Sequence, residues 1–342
     1  MQMNHNSISQ FCAELGQDRL LVQGAGGNVS WKDGDTLWIK GSGTWLANAK
    51  AANIFVPVAL KKITSSLSRG EFSVIPELIV TSDLRPSIET ILHALLPQKI
   101  VIHLHAINPL AFLVLQDAKA KIEEISRALP WKSAFIEYFK PGAELAQAIC
   151  NVMKVQDGIR VLFLKNHGIV IGGDSILEVR SILEGVLKAC SIIHAPELVK
   201  VRPTFPKVPV EAGEIYRAIE DIDVQQLAQN SVLFNHLHSD WVLYPDHVVF
   251  LGPKAFSYKS WEDCFSQHNG DQIFPELIFI ENEGVFVAPY FNRAKTAQLR
   301  CYYDVISRVL NETALNPLNE LEIAELLNWD AEKLRQKMSV SD

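Results

Sequence analysis

The sequence predicts a mixed α/β fold built on a sandwiched, largely antiparallel sheet. Short apolar, β-branched runs are interleaved with segments of helical periodicity. Several adjacent strand pairs are joined by tight Gly- or Asn-bearing turns, which link antiparallel rather than parallel neighbours. The 342 residues, 48% hydrophobic and 21% charged, make a chain long and apolar enough to bury a core without disulfide staples. At roughly 150 residues per domain this length implies about two domains. Three prolines, Pro203, Pro206 and Pro209, mark a linker over Val199–Glu211, dividing the chain into 1–200 and 201–342.

In order, residues 7–16 read as a helix, capped by Ser7 or Ser9 and stopped by Gly16. Strands are expected at Leu20–Gln23 and Thr36–Lys40, around the glycine-dense turn Gly24-Ala25-Gly26-Gly27-Asn28-Val29-Ser30, and Gly41-Ser42-Gly43 makes a second turn. Residues 54–68 carry both strand and helix signals. Pro86 opens a helix through Leu96, with Glu89 in its first turn, and Pro97 ends it. Lys99–His105 is a buried strand, 117–127 and 143–154 are helices, and Ile159–Lys165 pairs with Ile169–Ile171 around Asn166-His167-Gly168. Glu178–His194 is a long helix.

The second part echoes the first. Residues 161–172 read VLFLKNHGIVIG and residues 277–288 read LIFIENEGVFVA, with Phe, Asn and Gly at equal offsets and Glu283 where the first copy has His167. The expectation is a degenerate repeat without metal, burying Ile278, Phe279, Ile280, Val285 and Phe286. Its late segment Leu321–Lys337 should be a helix docked through Leu326, Leu327 and Leu334.

Several function classes are excluded at this level. The net charge is −7 and no Lys/Arg cluster stands out, so nucleic acid is not the main partner. Five scattered cysteines without a CxxC pair argue against a disulfide framework or thiolate zinc knuckle and suit a reducing cytoplasm. Met1–Gln10 has no signal-peptide core. The apolar stretch Ile100–Leu115 is broken by His103, His105, Asn108 and Pro109, so no membrane partner is expected.

The sharpest chemical signal is His103-Leu104-His105. Alternate residues of a strand face the same way, roughly 6–7 Å apart at the backbone, so two imidazoles converge. Paired core histidines are the competing explanation; two on one apolar strand favour a metal. A catalytic zinc takes three protein ligands, and His167 in its tight turn is the best third donor. His93, His194, His236, His238 and His247 are the alternatives, the 236/238 pair being read as polar surface loop. Glu89 is the natural acid/base, although a carboxylate in a first helical turn also simply complements the helix dipole. It also has a rival metal pairing with His93. The glycine turn has Val29 where a dinucleotide fingerprint needs glycine, and there is no Walker Lys-Ser/Thr pair. It is still able to cradle an anion, helped by Asn28, Ser30 and Lys40.

Taken in order, Gly27-Asn28-Val29-Ser30, Gly41-Ser42-Gly43, Pro86-Ser87-Ile88-Glu89, His103-Leu104-His105 and Asn166-His167-Gly168 resemble the class II aldolase/adducin family over roughly residues 7–195. The phrases RPSIETILHALLP and LLNWDAEKLRQ resemble its longer bacterial members, similar to the aldolase part of bifunctional rhamnulose-phosphate aldolase/alcohol dehydrogenases. The resemblance implies an α/β/α layered fold with a mainly antiparallel central sheet, plus a smaller C-terminal α/β unit. It implies zinc or another divalent transition metal on His103, His105 and His167, and Glu89 as the proton shuttle. It implies an anion site of Asn28, Ser30, Ser42, Gly43 and Ser87, with Lys40 beside it, and a homo-oligomer. The substrate implied is a ketose phosphate or sugar acid, cleaved or joined through an enediolate. Ile88 departs from the second serine of many sugar-phosphate aldolases, which leaves Arg85, Lys40 or a carboxylate-bearing substrate as alternatives. Tyr138 is the guess for the acid that serves the leaving aldehyde. Epimerisation, dehydration, decarboxylation, metal-dependent hydrolysis and a non-catalytic adducin-like role remain open rivals, though adducin-type members lack the metal histidines.

Overall fold

The computed structural model describes residues 5–192, 204–268, 273–309, 314–330 and 333. Part of the expected linker (199–203), His194 and Leu334 lie outside them. Helix α1 (His5–Gln17) buries Ile8, Phe11, Cys12 and Leu15, one stripe at helical spacing. Strands β1 (Asn28–Asp33) and β2 (Thr36–Lys40) form a hairpin, and β3 (Phe55–Ala59) and α2 (Leu60–Ser68) divide the ambiguous segment. Then come α3 (Thr90–Leu95), β4 (Ile100–Leu104), α4 (Ile107–Leu113), α5 (Ala118–Arg127) and β5 (Ser133–Ile136). Helix α6 (Ala143–Val155), the hairpin β6 (Val161–Leu164) and β7 (Gly168–Gly173), and α7 (Ile176–Ala189) complete the first half.

These strands make a seven-stranded sheet in the order β3-β2-β1-β4-β7-β6-β5, antiparallel except for β5–β6. Alternation along the strands divides the core into two layers. Ile100, Ile102, Leu104, Phe163 and Ile171 face one buried cluster, which α1, α4 and α7 cover. Val101, Leu162, Leu164 and Val170 face the other, covered by α2, α3 and α6. The sheet is thus layered between helices, and its inner strands are apolar on both faces because both are buried.

Three local expectations need correction. Leu20–Gln23 is a turn, not a strand: Leu21 and Val22 donate their N–H groups to the Asp18 carbonyl, and Leu20 N–H is held by the Asp18 carboxylate. The first strand starts at Asn28, so Asn28 and Ser30 are strand residues. Helix α3 begins at Thr90 rather than Pro86, because residues 85–87 pair with 40–42: Ser42 N–H donates to Arg85 O, Ser87 N–H to Lys40 O, and Gly41 bridges Pro86. Glu89 is therefore the N-cap residue, outside the first turn. His236 and His238 lie on a helix instead of a loop. In the first half two elements had no sequence expectation, α4 and β5. Helix α4 is buried almost all round, leaving no amphipathic stripe to read, and its Pro109 stands in the first turn, where proline is tolerated.

The second half contains β8 (Arg217–Ala218), α8 (Gln226–Gln229), α9 (Ser231–Ser239), α10 (Pro245–Leu251), β9 (Ser257–Tyr258), α11 (Trp261–Gln267), β10 (Leu277–Ile280), β11 (Gly284–Val287), α12 (Arg293–Ile306) and α13 (Glu320–Leu327). Its four-stranded sheet runs β8-β11-β10-β9. The echoed hairpins share their turn. Leu164 pairs with Gly168 and Ile280 with Gly284, and Asn166 and Asn282 are the two non-glycine residues with positive φ (52° and 60°) among those described. Ile278, Phe279, Ile280, Val285 and Phe286 are all fully buried, as the apolar pattern requires. Helix α13 has an Asn319 capping box and docks through Leu326, with Leu327 and Ile323 partly buried. One apolar cluster runs through both halves, joining Ile8 and Leu110 to Leu243, Phe279 and Tyr302.

His247 on α10 is enclosed by the rings of Trp241 and Tyr302, at centroid distances of 4.4 and 4.8 Å. Neither ring nitrogen has a hydrogen-bond partner among the described residues. Burial pushes its pKa down from 6.5 to about 3. Between those values only the unfolded chain takes up the proton, so this contribution is complete above about pH 6.5 and is lost as pH falls toward 3. Denaturant titrations of metal-free protein from pH 7 to 4.5 should show that decline, and His247→Phe should remove part of it. An identical pH slope in the variant would contradict the assignment.

Candidate metal centre

The site is assembled on the centre of the large sheet. In β4, His103 takes the opposite face from Ile102 and Leu104, and the register sets Asn28 of β1 on one side of it and Val170 of β7 on the other. His105 follows just after the strand ends. His167 enters from the β6–β7 turn, whose left-handed Asn166 is clamped from the second half of the chain: its Nδ2 donates to Leu243 O (2.8 Å) and Asn316 O (2.7 Å). The glycine turn comes close for a steric reason. A Cβ on Gly27, which has φ of 62°, would stand 2.9 Å from the His103 carbonyl. One on Gly26 would stand 2.9 Å from Asp246 Oδ2 and 3.0 Å from His105 Nδ1.

His103, His105 and His167 are buried, and each offers a ligand atom within 4.8 Å of the others'. His103 and His105 face each other through Nε2 at 3.1 Å. His103 Nδ1 sits 3.1 Å from Ile169 O, an acceptor only, and His105 Nδ1 sits 3.3 Å from Asp246 Oδ2. If each Nδ1 carries the hydrogen its oxygen neighbour calls for, both Nε2 atoms are lone pairs pointing at one another. Two nitrogens on one tetrahedral ion at about 2.0–2.1 Å each stand roughly 3.3 Å apart. The donor set therefore fits a divalent transition metal, and imidazole suits several.

Glu89 closes the cluster. Its Oε2 is 3.4 Å from His103 Nε2 and accepts from Asn28 Nδ2 at 2.9 Å; its Oε1 is 3.6 Å from His167 Nε2. Burial raises its pKa, but His103, His167, the Asn28 hydrogen bond and His105 outweigh that and hold it at about 2. Burial pushes His103 down and His167 down to about 3, partly offset by Glu89. At neutral pH Glu89 is then a carboxylate beside the neutral imidazoles of His103 and His167, the protonation state that metal binding requires.

Of the expected anion-site residues, Asn28, Lys40, Ser42, Gly43 and Ser87 line the adjoining cavity of about 30 Å³. Ser30 does not; it is fully buried with its hydroxyl on His93 Nδ1 at 2.8 Å. Among the described residues His93 does not join the group that could hold a metal, which is His103, His105 and His167. Lys40 Nζ donates to Ala25 O and Thr44 O. Arg85 is exposed and Tyr138 packs on the main core; neither lines the cavity. His236 Nδ1 pairs with Asp240, and Glu283, the counterpart of His167, accepts from the Trp261 indole. Pro245 and Asp246, 141 positions beyond His105, also line the cavity, and no local sequence pattern singles them out. A roomier cavity of about 570 Å³ beside the end of α10 contains no histidine.

The family profile of the Class II Aldolase and Adducin N-terminal domain matches residues 6–194. The chain belongs to the class II aldolase and adducin family. It is 29% identical over 181 residues to uncharacterized oxidoreductase YuxG of Bacillus subtilis, a match covering 47% of this chain and only 25% of that protein. It is 28% identical over 167 residues to an L-fuculose phosphate aldolase of Methanococcus maripaludis, covering 47% of this chain and 80% of the relative. Among solved structures it is similar to the N-terminal class II aldolase domain of a conserved protein from Thermoplasma acidophilum, with 23% identity and a TM-score of 0.49 over 56% of this chain and 93% of that one. The five ordered motifs, from Gly27-Asn28-Val29-Ser30 to Asn166-His167-Gly168, fall inside the matched segment, whereas Asp246 falls outside it.

Metal analysis tests the ligand set. Protein loaded with zinc or cobalt and then desalted should retain about one equivalent, and His103→Ala and His167→Ala should each lose it. Full retention by both variants would refute the assignment.

Proposed function

We propose that this class II aldolase family member is a metal-dependent lyase that cleaves or forms a carbon–carbon bond in a ketose phosphate or related sugar acid through an enediolate. The observation that carries the reading is the convergence of three buried imidazoles on one point with a carboxylate in contact with two of them. Sugar-phosphate chemistry is supported by the relatives named L-fuculose phosphate aldolase. We further take residues 1–200 as the catalytic domain and 201–342 as a C-terminal α/β domain, a degenerate repeat supported by the shared turn of the two hairpins. The free cysteines fit a reducing cytoplasm. The homo-oligomer rests on the family resemblance.

His103, His105 and His167 would hold a zinc or similar divalent ion, whose bound chemistry is Lewis acidity toward the ketose carbonyl and adjacent hydroxyl. Glu89 moves the proton at the carbon next to that carbonyl. It is ionised, as an acceptor must be, and Asn28 fixes the carboxylate without protonating it. Asn28, Ser42 and Ser87 offer side-chain donors and Gly43 backbone to the substrate's anionic group. Lys40, already bonded to two carbonyls, supplies positive field rather than a free ammonium head. Ile88 adds an apolar wall. The cavity of about 30 Å³ suits an ion or a single water, so substrate entry requires its walls to part.

Glu89→Gln keeps the shape of the side chain and removes the base. It should retain metal but lose about 10²–10⁴-fold in turnover and in exchange of the ketone-product proton with solvent. The assay is a panel of ketose phosphates and sugar acids scored by product carbon count. Normal exchange in the variant would remove Glu89 from proton transfer, and products of unchanged carbon count would replace aldol cleavage with epimerisation or dehydration.

A further inference from the structure

We infer that Asp246, contributed by the C-terminal half, is a positioning residue for the metal ligand His105. The inference rests on the metal site proposed above. Asp246 is 3% exposed, and its Oδ2 lies 3.3 Å from His105 Nδ1, the ring nitrogen on the far side from the His103 contact. A carboxylate there selects the tautomer with hydrogen on Nδ1, leaving Nε2 as the lone pair that faces the cluster, and it raises the basicity of that lone pair. His103 achieves the same orientation with a backbone carbonyl, Ile169 O, supplied by its neighbouring strand. His105 stands beyond the last paired residue of β4, where the sheet offers no such carbonyl. The C-terminal half fills that role.

The carboxylate is itself held. Gln298 Nε2 on α12 lies 3.3 Å from Asp246 Oδ2 and 3.5 Å from Gln23 O, tying the carboxylate to the turn that leads into the glycine loop. Gly26 leaves no room for a side chain between Asp246 and His105. Three residues earlier in the same segment, Leu243 O accepts from Asn166, the neighbour of His167. One stretch, 243–246, thus touches one candidate ligand, His105, and the neighbour of another, and it lies wholly outside the family-matched segment.

The test is metal affinity, measured on the full chain by competition with a chromophoric chelator. Asp246→Asn preserves shape and removes the charge. It should weaken zinc or cobalt binding by about 10–100-fold, the range for lost carboxylate support of a ligating histidine. The visible spectrum of the cobalt-loaded variant should shift, and the melting temperature of the metal-free variant should match wild type. Asp330→Asn, at an exposed carboxylate, is the control and should change nothing. Gln298→Ala keeps the carboxylate but removes its amide neighbour, and should weaken affinity by a smaller factor; it carries the test if Asp246→Asn fails to fold. Affinities within two-fold of wild type in the folded variants would overturn the inference while leaving the metal site intact. Wild-type protein that binds no transition metal would overturn the metal site, and this inference with it.

Discussion

His103 and His105 meet Nε2 to Nε2 across 3.1 Å, and the surrounding chain holds them there. In water such a pair would rotate apart or share a proton. Here each ring has its other nitrogen engaged, by a strand carbonyl for His103 and a carboxylate oxygen for His105. Burial disfavours protonating His103, so a proton is a poor bridge between them. With both ring hydrogens on Nδ1, the Nε2 contact is one of facing lone pairs, costly without a cation and favourable with one. The antiparallel β1–β4–β7 register, the glycines that let the first turn approach, and the N-cap position of Glu89 all bring other groups up to this contact without relieving it.

The three-histidine cluster is legible in the sequence because it depends on local patterns. Alternation on an apolar strand put His103 and His105 on one side, and a tight Asn-His-Gly turn after a second apolar strand presented His167 at the sheet centre. Glu89 reaches the cluster from a different local position than the sequence suggests. It was expected in the first turn of a helix, where dipole and cap effects compete with chemistry, but the backbone of 85–87 pairs with 40–42 and delays the helix to Thr90. Ser30 illustrates the limit of alternation. It shares a face with Asn28, but two residues further along β1 that face is already under α3, and its hydroxyl finds His93. Helix α4 was illegible because a helix buried on all sides has no stripe. Asp246 was illegible because its meaning arises only from a tertiary contact with a residue far away in sequence.

The two Asn-bearing hairpins show how one backbone solution serves different ends. Both turns need a left-handed residue, which asparagine adopts at low cost, and both pair the residue before the turn with a glycine after it. In the first, the asparagine amide is spent on Leu243 and Asn316, locking the turn to the second half, and the next side chain is an imidazole aimed into the cluster. In the second, the next side chain is Glu283, whose carboxylate takes the Trp261 indole N–H. The same turn thus presents an imidazole of the buried cluster in one half and a packing contact in the other.

Charge balance links the metal to the substrate. Two buried carboxylates, Glu89 and Asp246, line the cavity, and Lys40 is the cationic side chain among the described lining residues. Without an ion, neutral His103 and His167 add no positive charge, and one lysine faces two carboxyl groups, so the cavity by itself is a poor host for a phosphate or carboxylate group. A divalent ion reverses that sign. At the short distances and reduced dielectric of a buried site, such a reversal is worth several times what it would be in water. In the proposed function, anion recognition would therefore not belong to Asn28, Ser42 and Ser87 alone. Their donors would orient the anionic group, and the attraction that brings it in would depend on a metal held by the three histidines. This is why a cavity with one lysine, itself bonded to carbonyls, and with isoleucine at position 88 is still consistent with an anionic substrate.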